Sequence, residues 1–89
     1  NVMLYPNPFR ERTNVSVTLP SNGGPEEVRV SVYDALGRRV ATPVEARSVD
    51  ATQSITLTPS ELGISGAGMY FFRVKGESFT RTVQGVYSP

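Results

Sequence analysis

The chain contains no cysteine, no histidine and no tryptophan. Without cysteine, neither a disulfide staple nor a thiolate metal site can form, and the redox compartment is left open, export included. Without histidine, the usual proton shuttle near neutral pH is missing, and so is the commonest metal ligand. Long hydrophobic runs are also lacking: none approaches the roughly 18–20 apolar residues that span a bilayer, so membrane insertion is not expected. A secretory leader is not expected among these residues. The chain opens on Asn1-Val2 rather than a methionine, and is expected to be a piece of a longer protein. Net charge is scarce as well. Nine Lys+Arg stand against eight Asp+Glu, leaving +1. That balance supplies no overall field to gather DNA, RNA or anionic lipid.

What is present describes a folded domain. Apolar residues make up 38% of the 89 positions and charged residues 19%, ordinary for a packed chain and wrong for a disordered tail. A chain of this size buries roughly 60–65% of its unfolded surface, enough for one two-layer core. Residues 1–89 are therefore read as one domain.

Hydrophobic period two runs through most of it. Val15, Val17 and Leu19 share one face of a strand over residues 13–19, with Asn14, Ser16 and Thr18 on the other. Pro20 and the loop Ser21-Asn-Gly-Gly-Pro25 end it. Residues 27–33 repeat the pattern, with Val28, Val30 and Val32 inward and Arg29, Ser31 and Tyr33 outward. Asp34-Ala-Leu-Gly37 predicts a type I turn closed by a left-handed glycine. Residues 38–44 form the returning strand, and Pro43 makes its far end an edge or a bulge. Residues 53–57 give a strand with Ile55 and Leu57 inward. Thr58-Pro-Ser-Glu61 is a capping box for a single helical turn, stopped by Gly63. Residues 69–75 carry Tyr70, Phe72 and Val74 on one face and Met69, Phe71 and Arg73 on the other, which predicts a central strand. Lys75-Gly-Glu-Ser78 turns the chain into a last strand over residues 79–86, expected at a sheet edge. Six or seven short strands with no amphipathic helix define an all-β antiparallel sandwich. Its expected core is Val15, Val17, Leu19, Val28, Val30, Val32, Ile55, Leu57, Tyr70, Phe72 and Val74.

Catalytic chemistry finds no support in the pattern. Glu26 and Glu27 are adjacent, so on a strand they point to opposite faces and cannot act as a pair. Asp34 and Asp50 are single carboxylates beside turns, where capping explains them better than metal binding; oxygen-only sites need several carboxylates. The serines and threonines lack an activating base. An enzyme is not expected, nor a metal or cofactor. A carbohydrate-binding module is the sharpest alternative, because sandwiches of this size serve as one. Sugar platforms are exposed aromatics, and this chain has no tryptophan; Tyr33 and Phe71 lie on outward or ambiguous faces, and a packed second face explains them more simply. Asn14-Val-Ser16 matches a glycosylation sequon but falls inside a strand. Arg73, Lys75 and Arg81 straddle the last hairpin, with Glu77 near them, which fits a solvated face of cross-strand charges.

Three phrases in fixed order remain: Tyr5-Pro-Asn-Pro-Phe9, Val30-Ser-Val-Tyr-Asp-Ala-Leu-Gly-Arg-Arg-Val40 and Gly68-Met-Tyr-Phe-Phe-Arg-Val74. Together they resemble the C-terminal sorting domain of the type IX secretion system, over nearly the whole chain. Related sandwiches occur in the immunoglobulin-like domain of flagellar hook-capping proteins. The resemblance implies an immunoglobulin- or fibronectin-III-like sandwich of about seven strands, carried behind a cargo domain. It implies passage through the periplasm of a Gram-negative bacterium to the cell surface or medium. Its implied partners are the type IX secretion machinery, a sortase-like protease at the outer membrane that cuts before the domain, and the attached upstream cargo. A structural spacer is the runner-up. Pro6, Asn7 and Pro8 match the family's opening motif, where the prolines are expected to fix an extended lead-in and Asn7 to bond backbone. Gly68 and Tyr70 match the late glycine–aromatic phrase, Gly68 being expected at a close approach or bulge. Lys75 and Arg81 stand where the family's last hairpin is basic, and Arg73 joins them as a candidate contact. The family often ends in a lysine-rich apolar strand, whereas Thr82-Val-Gln-Gly-Val-Tyr-Ser-Pro89 has no lysine.

Overall fold

The computed structural model describes residues 1–20 and 24–89; Ser21, Asn22 and Gly23, part of the expected loop after Pro20, lie outside the described residues. The described residues form seven strands: β1 Val2–Tyr5, β2 Thr13–Thr18, β3 Glu26–Asp34, β4 Arg39–Val49, β5 Thr52–Leu57, β6 Gly68–Lys75 and β7 Thr80–Tyr87. A three-stranded sheet in the order β1-β2-β5 faces a four-stranded sheet in the order β4-β3-β6-β7, and every pairing within them is antiparallel. This is an immunoglobulin-like β-sandwich, as the strand pattern requires. β6 is central and β7 an edge, as expected.

Every expected core residue except Tyr70 is buried. Each fully buried Val, Leu, Ile or Phe contributes about 1.5–3 kcal/mol, so these alternating valines and their partners supply most of the driving force. Tyr70 is half-buried and packs against the cluster, because its hydroxyl stays at the sandwich end and donates to the Gly66 carbonyl at 2.7 Å. That bond, reaching back from the start of β6 to the connection before it, is the tyrosine corner of immunoglobulin-like folds. Leu4, Phe9, Val44, Val49, Leu62 and Ile64 complete the core and escaped the sequence reading.

Two strands depart from expectation. β1 has no clean alternation, but it pairs with β2 from Val2↔Val17 to Tyr5↔Asn14 and buries Leu4. β4 does not stop at residue 44. It runs on to Val49 with register shifts against β3, and Pro43 sits in this irregular edge strand, the edge or bulge expected of it. Ser31 lies on the outer face, as read, but only 6% of it is exposed.

The local signals hold in detail. Gly37 has φ 87°, and its N–H donates to the Asp34 carbonyl at 3.0 Å. Asp34 Oδ1 accepts from the Leu36 and Arg38 N–H groups at 3.0 and 2.9 Å, which closes the β3–β4 hairpin. In the capping box the Thr58 N–H donates to Glu61 Oε1 at 2.9 Å, and the Glu61 N–H donates to Thr58 Oγ1 at 3.3 Å. The single turn lowers Leu62 and Ile64 onto the core.

Candidate functional site

The opening and closing segments of the chain meet on β7. Residues 6–8 bend rather than extend, and the peptide bonds before Pro6 and Pro8 are cis. The bend aims the Asn7 amide at the outer edge of β7. Asn7 Nδ2 donates to the Gln84 carbonyl at 2.8 Å, while the Val86 N–H donates to Asn7 Oδ1 at 3.0 Å. One side chain thus mimics a strand residue, meeting the expectation that Asn7 bonds backbone. Phe9 continues the pairing in backbone: its N–H donates to the Val86 carbonyl at 2.8 Å, and its carbonyl accepts from the Ser88 N–H at 2.9 Å. Its ring, 2% exposed, packs edge-on against Phe72 at 6.2 Å and tilted on Tyr87 at 5.5 Å. Thr13 Oγ1 donates to the Pro6 carbonyl at 2.9 Å and anchors the bend from β2.

The outer edge of β7 is therefore only half covered. In an antiparallel ladder, alternate residues direct both backbone groups to the same side. Val86 faces outward to Asn7 and Phe9, so Thr80 and Thr82 face outward too. Among the described residues no hydrogen-bond partner meets their backbone.

The β6–β7 turn is held from β3. The Glu26 carboxylate, 8% exposed, accepts from the Glu77 and Ser78 N–H groups at 2.8 and 2.9 Å and from the Ser78 hydroxyl. The Ser78 hydroxyl and N–H are the main reasons its pKa lies below the usual carboxylate range, against the opposing effect of burial. Asp34 is lowered as well, first by the Arg38 N–H. A depressed carboxylate stabilises the fold above its unfolded-state pKa and loses that contribution as pH falls through the lower folded value. Stability is thus expected to fall below the usual carboxylate range. Glu26→Gln is expected to weaken the acid dependence while lowering stability at neutral pH. Thermal melts across that range check this; an unchanged acid slope would contradict it. Glu26 and Glu27 lie on opposite faces of β3, as expected.

The candidate recognition residues divide. Pro6, Asn7 and Pro8 form the bend at the β7 edge. Tyr70 anchors the start of β6. Gly68 begins that strand with φ 142°, and a Cβ there would meet nothing within 4 Å. Backbone conformation, not a close approach, explains that glycine. Crowding is found instead at Gly76, against the Phe79 ring and the Glu26 carboxylate, and at Gly85 on β7, against Phe72 and Leu4; no local pattern marked either. Arg73 and Lys75 lie opposite Ser31 and Arg29, on the outer face of the four-stranded sheet. Arg81 lies opposite buried Val74, so it projects from the other face, exposed at the rim of the sandwich. A charge so placed on an edge strand discourages indiscriminate pairing. Tyr33 and Phe71 are cross-strand partners, both half-buried.

The start of the chain is thus hydrogen-bonded to its last strand, on an all-β sandwich whose carboxylates Glu26 and Asp34 are occupied in turns. A family described as the secretion system C-terminal sorting domain matches residues 3–87, and the chain belongs to that family. The family is the C-terminal sorting domain of type IX secretion; it is non-catalytic and is recognised by that secretion system, which implies export. The match supports neither the spacer nor the sugar-binding alternative. No curated protein matches the chain.

Proposed function

We propose that residues 1–89 act as one C-terminal unit that directs an attached upstream cargo through the outer membrane, and that the secretion machinery reads its last hairpin in the folded state. The observation that supports this most is the half-covered edge of β7. Asn7 and Phe9 occupy it from residue 84 onward, leaving the backbone of Thr80 and Thr82 unpaired among the described residues. An open strand edge recruits another chain through main-chain hydrogen bonds, and flanking side chains add specificity. The opening Pro6-Asn7-Pro8 motif then has a physical role: it fixes the edge and limits how much is offered. Tyr70 and Gly68 set the start of β6, and Arg73, Lys75 and Arg81 surround the open segment on both faces. A sortase-like protease cuts before the domain, and the cargo reaches the cell surface or the medium.

Fusing residues 1–89 behind a periplasmic reporter in a host with the secretion system tests this. The reporter is expected at the surface or in the medium, and retention in the periplasm with a folded domain would overturn the proposal. Charge reversal at Lys75 and Arg81 separates address from scaffold. Both are exposed, so the stability change should stay within about 0.5 kcal/mol, while export falls.

A further inference from the structure

The net charge of +1 conceals a local asymmetry. In the β3–β6 ladder Arg29 lies opposite Lys75 and Ser31 opposite Arg73; in the β3–β4 ladder Tyr33 lies opposite Arg39. Arg29, Ser31, Tyr33, Arg39, Arg73 and Lys75 line one cleft of about 190 Å³ on the outer face of the four-stranded sheet. The cations come from three adjacent strands, and only the sheet register brings them together.

Four features set this cleft apart from a solvated face of mixed charge. The ion pair formed among the described residues is Arg38–Asp34, so none of these four cations is neutralised by direct contact. Glu27, Glu45 and Glu77 gather in the neighbouring cleft beyond the Arg29–Lys75 end, leaving the Ser31–Arg73–Arg39 side purely basic. Arg29 and Lys75 stand directly opposite each other, a like-charge placement that destabilises a sheet. Finally, Ser31 is 6% exposed, and its hydroxyl makes no hydrogen bond among the described residues but is open to solvent, since no enclosed side-chain polar atom there lacks a partner. A solvent-reached hydroxyl beside four cations can donate to a bound acceptor. Arg29 Nε donates to the Glu45 carbonyl at 3.4 Å, which orients that guanidinium and leaves its terminal amino groups for a ligand.

We propose that this cleft binds a phosphate-type oxyanion. Arginine forks match the oxygens of a phosphate bidentately, lysine adds a point charge, and a hydroxyl donates from the floor. At roughly 30 Å³ per water, the cleft admits a phosphate group and the first atoms of what carries it. The inference does not depend on the sorting role. The same chemistry is offered by a free phosphate ester and by a phosphorylated lipid headgroup.

The test is titration of isotopically labelled residues 1–89 with inorganic phosphate and with glycerol 3-phosphate at constant ionic strength, following backbone amides by NMR. Phosphatidylcholine vesicles with and without phosphatidic acid form a second arm. Saturable shifts at Ser31 and Arg73 are expected, weakened about tenfold or more by Arg73→Gln or Arg39→Gln, as loss of a charge-assisted bond implies. Arg81→Gln, on the opposite face, is expected to leave them unchanged. Binding only to vesicles containing phosphatidic acid, lost in Arg73→Gln, would support the site and assign the headgroup as its source. Shifts that grow linearly and match those of chloride, or an Arg81→Gln effect equal to that of Arg73→Gln, would overturn the proposal.

Discussion

Replacing Phe9 by alanine is expected to destabilise the domain by about 3–5 kcal/mol, the range for truncating a fully buried phenylalanine. The ring is 2% exposed and bridges Phe72 of β6 and Tyr87 of β7. Its removal opens a cavity where the opening segment, the central strand and the last strand meet. The loss is large against the roughly 5–15 kcal/mol that holds a small domain together. It also frees the backbone closure, because the bonds from Phe9 to Val86 and Ser88 hold their register only while the ring is anchored. Urea unfolding measures the cost, and hydrogen exchange at Val86 and Ser88 reports the closure. Phe9→Leu, which keeps most of the volume, is expected to retain both. A cost for Phe9→Ala below about 1 kcal/mol would contradict the placement of this ring in the core.

Gly85→Ala is expected to destabilise by about 1–3 kcal/mol, the cost of overpacking. Strand propensity alone gives the opposite sign, since a mid-strand glycine ordinarily costs roughly 0.5–1 kcal/mol relative to alanine. The difference lies in what a Cβ would strike: Phe72 Cε1 at 2.6 Å and Leu4 Cδ1 at 3.0 Å. Phe72 is completely buried and cannot swing away. Thermal melts of Gly85→Ala, alone and combined with Leu4→Ala, distinguish crowding from a backbone effect. The double variant is expected to fall short of the sum of the two losses, because Leu4 truncation makes room beside residue 85. A stabilised Gly85→Ala would contradict the packing described for β7.

How much the sequence disclosed depended on whether the information was local. Val28, Val30 and Val32 alternate because one face of β3 is buried, and Asp34 with Gly37 encodes its turn within four positions. The capping box of Thr58 and Glu61 is likewise complete in four. β1 was invisible because its four residues show no alternation; only pairing with β2 makes them a strand. The second half of β4 was missed because register shifts break its period and its edge position leaves it mostly polar. Phe9 follows two prolines and lies outside any strand, so no periodicity marked it as core. Gly68 and Gly85 show the limit most clearly. The first stood in a recognisable phrase and invited a packing explanation, yet its backbone angle accounts for it. The second stood in a stretch of β7 marked only by its lack of lysine, and the side chain that excludes a Cβ there is thirteen positions away, on β6. Of the candidate contacts, Asn7 was legible through its chemistry. That Arg73 and Lys75 share a face with Arg29 and Arg39 while Arg81 does not is a matter of register, which spacing along the chain cannot express.

The central claim is that the open half of the β7 edge is the address. Thr82→Pro tests it with least damage to the scaffold. The Thr82 N–H faces outward and lacks a partner among the described residues, and an outward-facing edge position is where a strand tolerates proline. Deleting residues 79–89 is the cruder experiment, since it also removes Gly85, Tyr87 and the bonds to Asn7 and Phe9. In the reporter fusion, Thr82→Pro is expected to leave a cooperatively unfolding domain with little change in melting temperature, and to hold the cargo in the periplasm. Undiminished export of a folded Thr82→Pro fusion would contradict edge recognition.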